Sequence, residues 1–181
     1  MIEKNLGIVV RQLRESRGLS LRNLAEHSGF SAAFLSQVEN AQASPSISSM
    51  ERIAHALGVS LGDFFRATED RHSSIVRADE RVGLRSQWSQ ARIEALCTNH
   101  PGRKLEGSVI TIQPGGMSGK QAYALSHEAI AVIFEGELEL TLRDEKHRLQ
   151  RGDAVTIWAD VPRRWHNVSD KVAQVLIVTA R

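Results

Sequence analysis

The chain has 181 residues, of which 41% are hydrophobic and 24% charged, with a formal net charge of +2. That length holds one domain or two small ones at about 100 residues each, and the composition excludes disorder. Basic and acidic side chains number 23 and 21, which excludes a polybasic tail that grips nucleic acid by charge alone, and one cysteine excludes an internal disulfide or a cysteine-pair zinc site. The N-terminal residues lack the apolar stretch of a signal peptide. The apolar run 172–180 is far shorter than the roughly 20 residues of a membrane helix. A cytoplasmic protein without a membrane partner is expected.

Residues 1–66 read with a helical period. Leu6, Val9, Val10 and Leu13 fall on one face of a first helix that Gly18 ends. Ser20 is placed to cap a second helix carrying Leu21, Leu24 and Ala25, which Gly29 closes. Ser31 caps a third helix with Leu35 and Val38 turned inward. Ser44, followed by Pro45 in the first turn, is expected to cap a fourth helix with the stripe Ile47, Met50, Ile53, Ala54 and Leu57. Ser60 and Asp63 have capping-box spacing for a fifth, finished by Phe64 and Phe65. The expectation is five short helices over 1–66 and a polar linker over 67–80.

From about Ile75 the pattern changes to short strands: 92–97, 107–113, 122–126, 130–135, 137–143, 154–158, 163–168 and 172–179. Turn signals separate them at Pro114-Gly115-Gly116, Gly136, Gly152-Asp153 and Pro162. Strands at this spacing predict an all-β sandwich or barrel over 81–181. The two halves carry seven basic against six acidic and 16 against 15 side chains, so bulk charge does not say which half meets a partner.

The stretch Leu19-Ser-Leu-Arg-Asn-Leu-Ala-Glu-His-Ser-Gly29, followed by Phe30-Ser-Ala-Ala-Phe-Leu-Ser-Gln-Val-Glu-Asn40 and Ser44-Pro-Ser, resembles the Xre and lambda-repressor type of helix-turn-helix. Small Ala25 lets the second and third helices cross closely, and Gly29 permits the tight turn. Leu21, Leu24, Leu35 and Val38 then fix the crossing angle. One face of the third helix is left for a DNA major groove. The resemblance puts base reading at Ser31, Ala32, Ala33, Ser36 and Gln37. Gln37 suits a paired hydrogen bond with adenine, worth about 1–3 kcal/mol of discrimination. Where many relatives have a phosphate-binding glutamine this chain has Leu21, so Arg22 is expected to substitute. Asn40, Ser44 and the first amides of the fourth helix are expected to hold a second phosphate. In the resembled family Arg14 and Glu39 form an internal ion pair. Arg11 and Arg17 read as a solvated face or weak phosphate contacts.

The second half resembles a small cupin, a double-stranded β-helix or jelly-roll barrel, in the blocks Pro114-Gly-Gly116, Ile130–Leu140, Leu149–Val155 and Pro162–Asn167. Metal-binding cupins carry three histidines and a glutamate at fixed offsets from the hairpin glycine and the second-motif asparagine. Counted from Gly136 and Asn167, those slots hold Tyr123, Leu125, Ala129 and Arg163, and no such set makes a metal site. His127, Glu128 and His166 lie nearby, but a one-residue shift in a strand aims side chains out of the barrel. Tyr123, Leu125, Arg163, Trp165 and Asn167 have the parity to face inward, with Ala129, Ala131 and Ile133 on a common face. One arginine among apolar walls suits a small organic anion such as a carboxylate. The alternative is an arginine paired with an internal carboxylate among packing aromatics. Cys97 reads as a small buried residue, and Asn167-Val-Ser169 as a glycosylation pattern that a cytoplasmic protein does not use.

Together the resemblances imply a multidomain one-component transcription regulator. An all-α DNA reader joins an all-β cupin that makes a homodimer on a pseudo-palindromic DNA operator and takes a small effector. No catalytic residue, metal or cofactor is expected. Two alternatives are an iron-dependent epoxidase of the helix-turn-helix–cupin type, and a constitutive repressor whose barrel only dimerises.

Overall fold

The computed structural model describes residues 6–61, 64, 75–86, 88–97 and 104–180. Among the described residues four helices come first: α1 (Leu6–Ser16), α2 (Leu21–Ser28), α3 (Ala32–Glu39) and α4 (Ile47–Ala56). Their starts follow local chemistry. The hydroxyls of Ser20 and Ser31 accept the amides of Asn23 and Phe34, both at 3.1 Å, as N-caps do. Gly29 takes the left-handed conformation, φ 68°, and its amide closes α2 on Ala25. The cap of α4 is Ser46 rather than Ser44: its hydroxyl accepts the Ser49 amide, and Pro45 precedes the cap. The expected fifth helix falls largely outside the described residues, which include only Leu61 and Phe64 of it, both helical. Asp63, Phe65 and most of the expected linker are also outside them.

Val9, Val10, Leu24, Leu35, Val38, Ile47, Met50, Ile53, Ala54, Leu57 and Phe64 are buried, so the helical stripes meet in one core. Burial of each large side chain is worth about 1.5–3 kcal/mol.

After a short 3₁₀ turn (Ala78–Glu80) the described residues form nine strands: β1 (Gly83–Ser86), β2 (Ala91–Ala95), β3 (Leu105–Ile112), β4 (Ala129–Glu135), β5 (Glu137–Leu142), β6 (Glu145–Gln150), β7 (Ala154–Ile157), β8 (Arg163–His166) and β9 (Ala173–Ala180). They form an antiparallel six-stranded sheet, β1-β2-β3-β9-β4-β7, and a three-stranded sheet, β6-β5-β8. Alternation gives β4, β5, β8 and β9 one buried face each. Ile93, Ile110, Val175, Ile177, Ala131 and Ile133 line one sheet; Leu138, Leu140 and Trp165 line the other. Gly136, φ 73°, turns β4 into β5, where a β-carbon would stand 2.7 Å from Val172 O. The Asp153 carboxylate accepts the Gln150 amide at 2.9 Å across the Gly152 turn, as its sequence context predicts.

Three strand expectations change. Residues 122–126 form no strand; only Tyr123 bridges to Arg163. β1 and β6 were not anticipated. β1 has a single apolar residue, and β6 is a charged edge strand with Lys146 paired to Glu139 at 3.0 Å, so neither carries an alternating apolar signal. Cys97 is half-buried rather than buried, and its sulfur accepts the Gly107 amide at 3.2 Å.

Candidate nucleic-acid interface and barrel site

α3 buries Leu35, Val38 and Glu39 and turns the opposite face outward. Ala33, Gln37 and Asn40 are exposed along that face, with Ser31 exposed at its start and Ala32 and Ser36 half-buried. Arg22 is exposed at the start of α2, and Ser44 in the loop before α4. Ser31 uses its oxygen as the cap, which leaves its O–H to donate.

The inner side of α3 is tied to α1 by charge. Arg14 Nε and Nη2 donate to the two Glu39 oxygens at 2.7 and 3.0 Å, while Arg14 Nη1 holds Leu19 O at 2.9 Å. Burial disfavours the Arg14 cation, but its bond to Glu39 outweighs this and holds its pKa above the ordinary value. Arg11 is not merely solvated. Its Nε reaches Glu39 at 3.2 Å, and its Nη2 holds Asn40 Oδ1 at 2.7 Å. The Asn40 amide also donates to Ser36 O, so this side chain is committed to the helix end.

The first amides of α4 do not form the expected phosphate cradle. Ser48 N donates to Ser118 O at 3.1 Å, and Ser49 N donates to Ser46. Ser118 belongs to the loop between β3 and β4. The same loop brings Gly119 so close that a β-carbon there would stand 2.1 Å from Ser48 Oγ, and it places Ser126 Oγ 3.1 Å from His55 Nε2. Thus α4 seats itself on the barrel. On its other side Arg52 lies 4.2 Å over the Phe30 ring and donates to Ser28 O at 2.7 Å, which links α4 to the turn before α3.

Within the barrel, Tyr123, Arg163, Trp165 and Asn167 are buried, as their parity predicts, and Leu125 is half-buried. Arg163 is 1% exposed, with its guanidinium carbon 5.0 Å from the Tyr123 ring centre. Asn167 is no pocket wall: its amide donates to Ile112 O and Lys171 O, and its oxygen accepts from Ser169, so it clamps the β8–β9 loop. His127 sits 6.3 Å from His55, ring to ring, and His166 faces Glu139 at 4.0 Å. Among the described residues no three His, Cys, Asp or Glu side chains gather as a metal site.

One functional candidate escaped the sequence reading. Glu51, on α4, points the same way as Ile47, Met50 and Ala54. Its Oε2 is buried beside Arg163 and Tyr123. Desolvation raises its carboxyl pKa, against the pull of Arg163 and the Tyr123 hydroxyl. The same burial, with the Glu51 charge, pushes the Tyr123 phenol well above its ordinary value. The signal was a carboxylate at an i, i+4 position of an otherwise apolar stripe.

Residues 5–65 match a helix-turn-helix domain family and residues 108–179 the cupin domain family. The chain is 28% identical to the HTH-type transcriptional regulator PuuR of Escherichia coli over 169 residues, which cover 91% of this chain and 89% of PuuR. It is 27% identical to the regulator SutR of the same organism, over 90% of this chain and 86% of SutR. An HTH_3 family transcriptional regulator from Vibrio cholerae superimposes with a TM-score of 0.76 at 27% identity, over 98% of this chain and 95% of that one. An iron(II) HppE structure shares the fold alone, with a TM-score of 0.52 and 19% identity over 97% of each chain. No helix among the described residues is long and apolar enough to cross a membrane. The chain thus carries a helix-turn-helix domain followed by a cupin domain, the order found in the transcriptional regulators it is similar to over nearly its whole length.

Proposed function

We propose that the protein is a sequence-specific, homodimeric regulator of transcription whose barrel takes a small effector with an anionic group, and that it is not an enzyme. The observation that carries the DNA reading is the outward face of α3. Ser31, Ala33 and Gln37 are exposed there while Leu35, Val38 and Glu39 anchor the helix from behind. Ala32 and Ser36 flank this face, and Arg22 and Ser44 supply backbone contacts. Asn40, held by Arg11, sets the helix end beside a phosphate. The domain assignment is 1–66 reader, 67–80 linker and 81–181 barrel.

On duplexes selected from a random library, Gln37→Ala is expected to relax preference at one base pair, by about 1–3 kcal/mol. Arg22→Ala is expected to weaken all sequences alike and to lower the salt slope by about one. Equal effects of the two changes on every sequence would remove the base-reading role of α3.

The dimer reading rests on the outer face of the six-stranded sheet. Ile130 and Phe134 of β4 are 55% and 62% exposed, and on the same sheet half-buried Val178 and Leu176 of β9 pair with Ile130 and Val132. An apolar patch of this kind marks an association surface. A second copy there would set two α3 helices for half-sites about 34 Å apart. Light scattering is expected to give twice the chain mass for the native protein and a monomer for Phe134→Glu, with operator affinity lost in parallel. A native monomer at micromolar concentration overturns the dimer. Stoichiometric iron or zinc in the purified protein would favour the epoxidase alternative instead.

A further inference from the structure

Buried Tyr123, Arg163 and Trp165 meet the buried Oε2 of half-buried Glu51 where α4 rests on the barrel, and polar atoms of all four are left over. Arg163 has two unpartnered N–H groups, Nε and Nη1, although the residue is 1% exposed. Trp165 Nε1, on the same face of β8 two residues on, is equally buried and unpartnered. The Tyr123 hydroxyl and Glu51 Oε2 complete the set. The Tyr123 hydroxyl stands between the Glu51 and Arg163 charges and interacts with both, yet neither Glu51 Oε2 nor the two arginine nitrogens completes a hydrogen bond of good geometry. A buried ion pair that stabilises a fold is in contact and saturated with hydrogen bonds; separated, unsaturated buried charges are a cost the fold carries. The neighbouring polar groups show what saturation looks like here. The side chain of Asn167, equally buried, bonds Ile112 O, Lys171 O and Ser169, and the Ser118 hydroxyl accepts the Trp165 amide.

The chemistry of the four groups is polarised. At one end are an arginine fork and an indole N–H, which fit a carboxylate. At the other is a carboxylate, which accepts from an ammonium, with a phenol between. The pair is electrically balanced, so an ion of single sign would leave one protein charge uncovered, whereas a ligand carrying both signs would cover both.

We propose that Glu51 of the DNA-binding domain and Tyr123, Arg163 and Trp165 of the barrel form one composite site for a small zwitterion, an amino acid, with its carboxylate on Arg163 and its ammonium on Glu51. This rests on the regulator reading above and narrows its effector class. It also names the coupling element. α4 donates Glu51 to the ligand and, through Ser48 and His55, holds the β3–β4 loop. One residue along, Arg52 holds Ser28 and Phe30 at the turn that launches α3. A ligand that pulls on Glu51 therefore biases the seating of the reading helix, and such bias requires only differential affinity for two seatings.

The test uses the full chain and three probe sets: the α-amino acids, the matching deaminated carboxylates and the matching decarboxylated amines. Thermal shift and calorimetry at pH 7 are expected to show at least one amino acid that raises the Tm, with its carboxylate and its amine each binding at least tenfold more weakly. Glu51→Gln should lose about tenfold in affinity for that amino acid, and Arg163→Met about 100-fold, as expected for one and two charge-assisted hydrogen bonds. Neither variant should lower the Tm of the free protein.

The pH dependence has a definite sign. The Glu51 pKa is raised in the fold, so ionising it costs stability above the ordinary carboxyl range and nothing below it, where folded and unfolded forms are both protonated. Facing it are Arg163 and the Tyr123 hydroxyl, with Arg52 and His55 on its own helix. Glu51→Gln should thus raise the Tm at pH 7 and leave it unchanged near pH 4.

Three results overturn the composite site. The first is a carboxylate that binds as tightly as its amino acid and ignores Glu51→Gln, which leaves an anion pocket confined to the barrel. The second is a failure of every probe in the three sets to bind. The third is a loss of stability in both single variants that Glu51→Gln with Arg163→Met together restores, which makes the pair a structural brace. Retention of the same protein on random-library duplexes reports separately on the regulator reading.

Discussion

Replacement of Glu39 by alanine is expected to destabilise the helical domain by about 3–5 kcal/mol and to abolish DNA binding, while the barrel stays folded. Glu39 lies on the inner side of α3 with its side chain 2% exposed, and Arg14, 13% exposed, grips both of its oxygens. Without the carboxylate, the Arg14 cation remains largely buried with only Leu19 O and the exposed Glu15 to meet it. Arg11, 46% exposed, returns to solvent at little cost. The loss is comparable with the whole stability of a small domain.

The two halves can be followed separately. All three tryptophans, Trp88, Trp158 and Trp165, lie beyond residue 80, so their fluorescence reports the barrel, while circular dichroism at the helical band reports α1–α4. An early helical transition with an unchanged fluorescence transition is the expected result. Replacing the pair together, Arg14→Met with Glu39→Leu, should recover most of the stability, because two apolar side chains leave no charge uncompensated. If Glu39→Ala melts within a degree or two of the native protein, the ion pair is no anchor of α3.

The second large effect is expected at Gly7. It is buried in the first turn of α1, where a β-carbon would lie 2.4 Å from Glu39 O and 2.5 Å from Val38 O. Both obstacles are backbone atoms, so no side chain can swing aside. α1 must shift away from α3, which opens the Arg14–Glu39 contact as well. Gly7→Ala should cost about 3 kcal/mol, at the upper end for overpacking. That corresponds to a fall of more than about 10 °C in the helical transition for a domain this small. Gly58 provides the contrast: nothing lies within 4 Å of a β-carbon there, and its left-handed φ of 65° makes strain the only penalty of Gly58→Ala. A loss at Gly7 no greater than that at Gly58 would show that α1 has room to move.

These two sites differ in how far the sequence shows them. The Arg14–Glu39 pair is read from its helix-turn-helix resemblance, whereas Gly7 carries no sequence mark, because close approach of two helices is a property of the packed pair. The same division runs through the molecule. Helix caps at Ser20 and Ser31, the left-handed Gly29, the hairpin at Gly136 and the inward parity of Arg163 and Trp165 all follow from chemistry within a few residues of chain. Hydrophobic period likewise separated the helical half from the strand half. The cap at Ser46 was missed by two residues because Ser44 and Ser46 flank the same proline, and local chemistry does not choose between them.

The amino-acid order by itself determined the two fold classes, the order of the domains and the outward face of α3, since each depends on side-chain periodicity and short-range capping. Tertiary structure alone decided that α4 is seated on the β3–β4 loop, that its Ser48 amide is bonded there rather than free for phosphate, and that Glu51 faces Arg163 across 112 positions of sequence. Such long-range pairings are set by the packing of whole elements, and no local pattern of residues encodes which distant charge a buried carboxylate will meet.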